Sequence, residues 1–395
     1  MRLSFDKWSA LYVMRSLRVD RARSHVLWHR TGLVDPDPSP LRRWGKHNFD
    51  MGPYGVFDGL PGQKVYVAAS SPGARPQSRR VSSTVYGKGI PPDSFIDIGD
   101  GFAISSPELL FVEMAALMHP IEHLMLGHEL CGSFGRDARD PRNGDVAYGL
   151  PALTSVERIG EFLAQAQGMN GIARARESFR RLDDNAWSPT ESLIAAFLRC
   201  PIDDMGFELD ALELNKRVFR NQALPDSKGS RVPDILIGGT KVGVNYDGLV
   251  HLDLESIARA AFEMGVNPAA SHTELELRRA MERVRAKALD DIRRNRELAV
   301  SGYTVFPILK EDLYQRGGFD RMVAQLVGAL KLQGDLDLWA PKRALASSQL
   351  CADRYRLLLS LLPGKQEIDV KLGRYLSGIR ISDEKPETFE CWIEF

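Results

Sequence analysis

The stretch between Arg231 and His251 constrains this 395-residue chain more than any other. Two short apolar runs, Ile235–Ile237 and Val242–Tyr246, are separated by a Gly-Gly pair, and this pattern predicts a β-hairpin. A hairpin places the start of its first strand beside the end of its second strand. We therefore expect four polar side chains to meet near one edge of the hairpin: Asp234, Asn245, Asp247 and His251.

Converging carboxylate and amide oxygens are the ligands that Mg²⁺ prefers. We expect Asp234, Asn245 and Asp247 to form a site for Mg²⁺ or Mn²⁺, where a bound metal could activate water and stabilise a phosphoryl transition state. The alternative is that Pro-Asp, Gly-Gly and Asp-Gly are ordinary turn dipeptides with no metal between them. The spacing alone leaves both interpretations open.

Several pieces of the chain, in order, resemble the core of PD-(D/E)xK nucleases. The closest likeness is to the endonucleases of the very-short-patch-repair type (Vsr-like) and their bacterial relatives. The resemblance covers roughly residues 188–313. The matching pieces are Ser188–Leu193 for the first helix, Pro233-Asp234, Asn245-Tyr246-Asp247-Gly248, His251, Asp290–Asn295 for a later helix and Gly302–Phe306 for the closing strand.

The resemblance implies an α/β fold, a restriction-endonuclease-like mixed sheet flanked by helices, which follows an α+β N-terminal domain. It implies that Asp234 is the main metal ligand, with Asn245 and Asp247 completing the cluster. His251 would act as general base or position the water, and Arg294 would stabilise the scissile phosphate.

Three acidic residues have supporting roles in this interpretation. Asp290 or Asp291 would contact His251 or Arg294 and orient it, without contacting the metal itself. Glu191 stands at the third position after Ser188, so it is equally expected as a capping glutamate and as a further contact to the metal.

The chain departs from the family at two points. Asn245 stands where the family has Glu, and an amide brings no charge, so the affinity for a metal should fall. About forty residues separate His251 from Asp291, which implies an inserted helical segment. Both departures bear on catalysis more than on the fold.

A capping box at Ser271–Glu274 predicts a long helix that runs to Val300. An apolar stripe is expected along it, at Leu277, Met281, Val284, Ala288 and Ile292. The helix is basic, which suits a binder of the phosphate backbone, although a solvated helix with charge pairs would look the same. The candidate nucleic-acid contacts are Arg278, Arg279, Arg283, Arg285, Lys287 and Arg293.

The N-terminal half has its own resemblance. A predicted hairpin at Phe95–Ile98 and Phe102–Ile104 precedes a helix capped by Ser106, and Gly127–Gly132 follows. This block is similar to the C-terminal region of AbiEi-type antitoxin regulators. The resemblance carries no catalytic residue and implies a regulatory module that binds DNA or a partner.

Histidines and arginines in this half leave alternatives open. The letters of an inverted zincin motif occur at 119–123, but Pro120 should begin a new helix and break the motif. We therefore expect His119, His123 and His128 at a surface or interface. A basic helix over Phe5–Leu17 is expected to be a solvated helix face or, alternatively, a contact to DNA.

Composition limits the class of protein. Lys+Arg and Asp+Glu are 52 each, so any basic surface must be local. Four scattered cysteines without Cys-x-x-Cys spacing, no signal peptide and no long apolar run indicate a cytoplasmic protein without a membrane span. We expect three parts: an α+β domain at 1–183, a nuclease-like domain at 184–330 and a helical extension at 331–395.

The sequence thus favours a metal-dependent DNA endonuclease or nickase, associated with defence or a toxin–antitoxin system. The alternative is a weak or inactive nuclease-fold regulator that binds DNA, and a purely structural subunit is a third interpretation. DNA is the expected partner. A homodimer or a protein partner could use the N-terminal domain or the apolar C-terminal tail.

Overall fold

A computed structural model describes residues 2–36, 64–76, 81–87, 89–209, 211–219, 230–247, 271–333 and 336–363. Contacts within the chain define two units. The first is Met1–Cys200 with Leu361–Lys365, and the second contains Pro201–Ser360. Each unit combines helices with β-strands, so the protein is α/β, as the sequence predicted. The division falls at Cys200, whereas the sequence suggested a boundary near Asp183.

The strands of the first unit are short. They are β1 (Leu3–Phe5), β2 (Arg30–Thr31), β3 (Val65–Ala69), β4 (Val81–Val85), β5 (Phe95–Gly99), β6 (Phe102–Ser105), β7 (Phe134–Arg136) and β8 (Val146–Tyr148). The helices of this unit are α1 (Lys7–Val19), α2 (Pro107–Met114), α3 (Pro120–Cys131), α4 (Val156–Gln165), α5 (Ile172–Phe179) and α6 (Pro189–Arg199).

Six of these strands form one mixed sheet in the order β2-β5-β6-β1-β3-β4. Strands β1 and β6 are parallel, as are β3 and β4, and the other neighbours are antiparallel. The predicted hairpin is present as β5 and β6. The apolar helices α2 and α3 bury nearly every side chain, because they form the centre of this unit.

Capping residues fix where the central helices begin. The Ser106 hydroxyl accepts the Leu109 N–H at the start of α2, which confirms the predicted cap. A new helix begins at Pro120, as predicted, and the side chain of His119 caps it. At the N-terminus the prediction was less accurate, since Phe5 belongs to β1 and the helix begins only at Lys7.

The surface position expected for the histidines of α3 is wrong. His123 and His128 are buried, because both face inward on a helix surrounded by other elements. His123 Nε2 lies 2.7 Å from the carbonyl oxygen of Phe111, and His128 Nδ1 lies 3.2 Å from Ser192 Oγ. Burial lowers the pKa of each ring to about 4, so both are neutral at neutral pH.

We expect His128 to make the stability of the chain sensitive to acid. Its pKa is lower in the folded state than the ordinary 6.5, so its contribution is complete above pH 6.5 and is lost as the pH falls towards about 4. The slope is about 1.4 kcal/mol per pH unit at most. Urea unfolding from pH 7 to about pH 5 should show a smaller acid-induced loss in His128→Gln than in wild type. The exposed His25→Gln should behave like wild type; an unchanged loss in His128→Gln would contradict this assignment.

Arginines of α1 are buried, which corrects the expectation of a solvated or DNA-contacting helix. Arg15 donates from Nε and Nη2 to the two carboxylate oxygens of Glu129, at 2.9 and 2.7 Å. Arg18 donates to the carbonyl oxygens of Glu129, Gly132 and Pro151. These arginines therefore join α1 to α3 and the segment that follows it.

The second unit contains six strands among its described residues. They are β9 (Leu212–Leu214), β10 (Val218–Phe219), β11 (Ser230–Arg231), β12 (Ile235–Ile237), β13 (Val242–Asp247) and β14 (Thr304–Leu309). The helices of the second unit are α7 (Ser271–Val300), α8 (Lys310–Tyr314), α9 (Gly318–Lys331), α10 (Trp339–Ala346) and α11 (Ser348–Leu361).

Four strands of this unit form a mixed sheet in the order β14-β13-β12-β9. Strands β9, β12 and β13 are antiparallel neighbours, and β14 is parallel to β13. Parallel neighbours need a crossover connection, and α7 lies between β13 and β14 in the chain. The predicted hairpin, long helix and closing strand are therefore all present.

The helices after residue 331 belong to the second unit, although the sequence suggested a separate extension. The guanidinium of Arg354, fully buried on α11, binds the carboxylate of Asp320 on α9. Across the described ranges, no helix has both the length and the apolar character needed to span a bilayer. The C-terminal tail proposed as a partner surface lies outside the described residues.

Candidate functional site at the edge of the second sheet

One edge of the second sheet collects the polar residues that the sequence selected. Ile235 pairs with Val244, so Asp234 and Asn245 face each other where β12 begins and β13 ends. Asp247 is the last residue of β13, in register with Leu309 of β14. His251 lies outside the described residues.

Three hydrogen bonds hold Asp234 at this edge. The Asp234 carboxylate accepts the N–H of Tyr246 through Oδ2 at 2.7 Å. The Asp234 N–H donates to Asn245 Oδ1 at 2.9 Å. The carbonyl oxygen of Asp234 accepts the N–H of Asn215 at 2.9 Å, just beyond the end of β9. The backbone of Asp234 is therefore held from both neighbouring strands, and its carboxylate lies across the end of β13.

The side chain of Asn245 contacts the sheet and helix α7 and is shielded from solvent. Its side chain is fully buried. Because Oδ1 accepts an N–H from Asp234, the orientation of the amide is determined, and Nδ2 faces Asn295 Oδ1 on α7 at 3.4 Å. These two contacts show that Asn245 supports the backbone of Asp234 and contacts α7. Its expected role as a metal ligand stays a prediction, because the amide oxygen has a second lone pair.

The expected metal site stays a prediction. Asp234 supplies a carboxylate at this edge, a suitable oxygen donor for a divalent metal. Asp247 ends β13, and its side chain lies outside what the structure describes. Among the described residues there is no cluster of three or more side chains of His, Cys, Asp or Glu that could hold a metal.

Apolar contacts hold the C-terminal end of α7 against the sheet. Leu298 packs in a buried cluster with Leu236 of β12 and Val218 of β10, and Tyr303 and Val305 cover it. By contrast, two residues of the predicted apolar stripe, Met281 and Ile292, are 55% and 53% exposed. The core contact of α7 is therefore near its end, not along the stripe.

Charged residues complete this attachment. Arg231 of β11 donates to Glu297 Oε2 at 2.6 Å and to Asp290 Oδ1 at 3.1 Å, so Asp290 supports Arg231. The hydrogen bond to Glu297 is the main reason that the pKa of Arg231 is raised. Asp291 lies 3.4 Å from Arg294, one turn along the helix. Asp291 therefore contacts Arg294, as one of the two expected arrangements had it.

The C-terminal end of α7 follows β13. Asn295 contacts Asn245, whereas Gly302 lies beside Lys241 at the opposite end of β13. At 1.5 Å per residue, residues 271–290 add roughly 30 Å of helix before this part. Exposed basic side chains on this helix include Arg278, Arg279, Arg285, Arg293 and Arg296. The candidates Arg283 and Lys287 belong to the same helix.

Glu191 lies in the first unit, at the start of α6. Its N–H donates to Ser188 Oγ at 3.1 Å, and its carboxylate accepts the Trp187 N–H at 3.3 Å. These contacts satisfy backbone donors at a helix start. Of the two roles expected for Glu191, capping is the one that its contacts show.

Two residues that the sequence did not single out are central to the arrangement. Asn295 connects α7 to Asn245, and Arg231 connects β11 to two acidic residues of α7. Asn295 belonged to the helix signature Asp290–Asn295, but the sequence assigned it no role. Arg231 carried no recognisable signal, because its partners lie 59 and 66 residues away.

Comparison with models of protein families, with characterised proteins and with solved structures gives no significant match to this chain.

Proposed function

We propose that the second unit is a PD-(D/E)xK-like nuclease domain that hydrolyses phosphodiester bonds of DNA with the help of Mg²⁺ or Mn²⁺. The single observation that carries this proposal is the sheet. Three antiparallel strands, a long helix and a parallel closing strand follow in the order that the motif resemblance implies, with Asp234 at the shared edge.

The roles of the residues combine what the resemblance implies with the contacts of the described residues. Asp234 would hold the metal together with Asp247, and Asn245 would position Asp234 through its backbone N–H. A bound metal would supply an activated water and would neutralise charge on the phosphate. Arg294, oriented by Asp291, would contact the scissile phosphate, and His251, by the resemblance, would act as general base or position the water.

Metal dependence is the direct test of this proposal. We expect the purified full-length chain to nick supercoiled plasmid in Mg²⁺ or Mn²⁺. We expect EDTA to stop the reaction, because a carboxylate such as that of Asp234 cannot by itself polarise water or neutralise a phosphate. Restoring the metal should restore nicking. Activity that persists in excess chelator, or its absence at every metal concentration, would count against the enzyme.

A second function is favoured by one observation, the buried and fully engaged amide of Asn245. A chain without a charged group at this position could bind DNA without cutting it. The first unit, by its resemblance to antitoxin regulators, would then be the regulatory partner of a nuclease-fold DNA-binding module. We propose this DNA-binding regulator as the alternative.

The exposed arginines of α7 should control DNA binding in either case. We expect Arg278→Gln with Arg285→Gln to weaken binding and to lower the slope of log affinity against log salt by about one for each phosphate that the helix no longer binds. The matched control is Arg174→Gln on α5 with Arg180→Gln just after it, which removes two exposed charges of the first unit. Gel-shift titrations across a salt series would measure both. Equal slopes of log affinity against log salt in the two double variants would show that α7 does not bind the DNA phosphates.

A further inference from the structure

A buried polar cluster in the first unit has no part in the proposed nuclease chemistry. Asp6 follows β1 and is fully buried, and Glu113 lies on α2 with an exposed fraction of 4%. The Tyr86 hydroxyl, just after β4, lies between the two carboxyl groups. Its oxygen is 3.1 Å from Asp6 Oδ2 and 2.5 Å from Glu113 Oε1.

At neutral pH both carboxyl groups would ordinarily be ionised, and only the Tyr86 hydroxyl would carry a hydrogen. The contacts of this cluster require one hydrogen more. Two oxygen–oxygen contacts require two hydrogens between them. The phenol of Tyr86 provides one. Burial raises the pKa of Tyr86 far above its usual value, so the phenol keeps its hydrogen at neutral pH. One of the two carboxyl groups must therefore be protonated.

The surrounding donors decide which carboxyl holds the proton. Glu113 accepts the Ser105 hydroxyl from β6 at 2.8 Å and the Lys7 N–H from α1 at 2.8 Å, in addition to the Tyr86 hydroxyl. Three donors favour the ionised form of Glu113. Asp6 Oδ1 has no hydrogen-bond partner among the described residues, and this favours the neutral form of Asp6; the Thr84 hydroxyl acts in the opposite direction on this carboxyl group, but burial outweighs it.

The charged and titratable groups that face the pair are few. Lys7, at the start of α1, is the cation nearest to Asp6, and its ammonium donates to Thr84 Oγ1 of β4 at 2.7 Å. Burial raises the pKa of Asp6. Burial raises the pKa of Glu113 as well, and so does a charge on Asp6 whenever Asp6 is ionised, to about 8. Because the pKa of both carboxyl groups is raised, the pair keeps one proton at neutral pH and releases it as the pH rises.

The backbone at this point is also unusual. Lys7 has a φ of 49°, in the left-handed region that residues other than glycine rarely occupy. Its N–H is the one that Glu113 accepts, so the carboxylate holds the strained residue in place. The cluster thus connects the start of α1 to α2 through a charge-sensitive contact.

We propose that Asp6, Tyr86 and Glu113 share a single proton, carried by Asp6, and that this proton acts as a pH-sensitive latch between α1 and α2. With the proton present, each contact has a donor and an acceptor. Without it, two buried carboxylates face one hydroxyl and repel each other.

The direction of the pH effect follows from linkage. Both carboxyl groups have a higher pKa in the folded chain than the ordinary 3.8 and 4.5. The stability that the proton supplies is therefore complete below about pH 4, declines as the pH rises and is lost by the time the pH has passed through about 8. Folding at neutral pH takes up a proton.

The test compares urea unfolding midpoints of the full chain between about pH 6 and about pH 9. We expect Asp6→Asn to fold stably and to lose most of the alkaline decline of wild type, because an amide N–H can permanently donate to Tyr86. Glu113→Gln should be less stable at every pH, since its amide hydrogens would face the Lys7 N–H. The surface variant Glu177→Gln should retain the wild-type decline.

An infrared measurement keeps the proposal testable if a variant folds poorly. Wild type at neutral pH should show the C=O stretch of a buried protonated carboxyl group, which should disappear on raising the pH and be missing in Asp6→Asn. A band that is unchanged in Asp6→Asn but missing in Glu113→Gln would overturn the assignment to Asp6. No such band in wild type, or an alkaline decline that Asp6→Asn leaves unchanged, would overturn the shared proton.

Discussion

Replacing Asp234 by alanine should abolish metal-dependent nicking of supercoiled plasmid. Loss of residues that only support a metal ligand typically costs 10–100-fold, so loss of the main carboxylate should cost at least ~100-fold. Alanine also removes the acceptor of the Tyr246 N–H, which should destabilise the second unit by about 1–3 kcal/mol. The comparison therefore needs a variant that separates chemistry from folding.

Asp234→Asn is that control, because its side-chain oxygen can still accept the Tyr246 N–H while the charge is removed. We expect this variant to unfold at nearly the wild-type urea concentration and to be inactive. An Asn variant that nicks plasmid at the wild-type rate would show that Asp234 holds no metal. Activity that appears only in Asn245→Asp, which adds the missing charge, would favour the regulator with a weakened site.

Replacing Glu129 by glutamine should have the largest effect on the stability of the first unit. Burial alone would raise the pKa of Glu129, but the charges of Arg136 and Arg15 outweigh it, and the pKa lies well below the ordinary value. The carboxylate accepts from both guanidinium groups at 2.7 Å. Removal of its charge leaves two buried cations without compensation, which typically costs about 3–5 kcal/mol.

Urea unfolding at neutral pH would measure this loss. The matched control is Glu177→Gln, which also removes a glutamate that binds two arginines, Arg180 and Arg181, but at a half-exposed position. We expect the control to lose less than about 1 kcal/mol, since water screens exposed ion pairs. A similar loss in the two variants would mean that burial does not govern the strength of this ion cluster.

Local patterns in the sequence determined much of the second unit. The hairpin of β12 and β13, the extent of α7 and the strand β14 all follow from signals within a few residues of one another, such as apolar alternation, a glycine turn and a capping box. The same is true of Ser106 and Pro120 in the first unit. Such signals are readable because turns, caps and helix periodicity depend on neighbouring residues.

The tertiary structure decided what the polar residues do. Arg15 and Glu129 are 114 residues apart, and Asn245 and Asn295 are 50 apart, so no local pattern could pair them. In the sequence, His128, Arg15 and Asn245 could all have been surface groups. Packing buried each of them, and a buried polar group must find a partner or give up its charge. The chain by itself therefore determined where the candidate site lies, whereas only the fold determined that Asn245 supports Asp234 there.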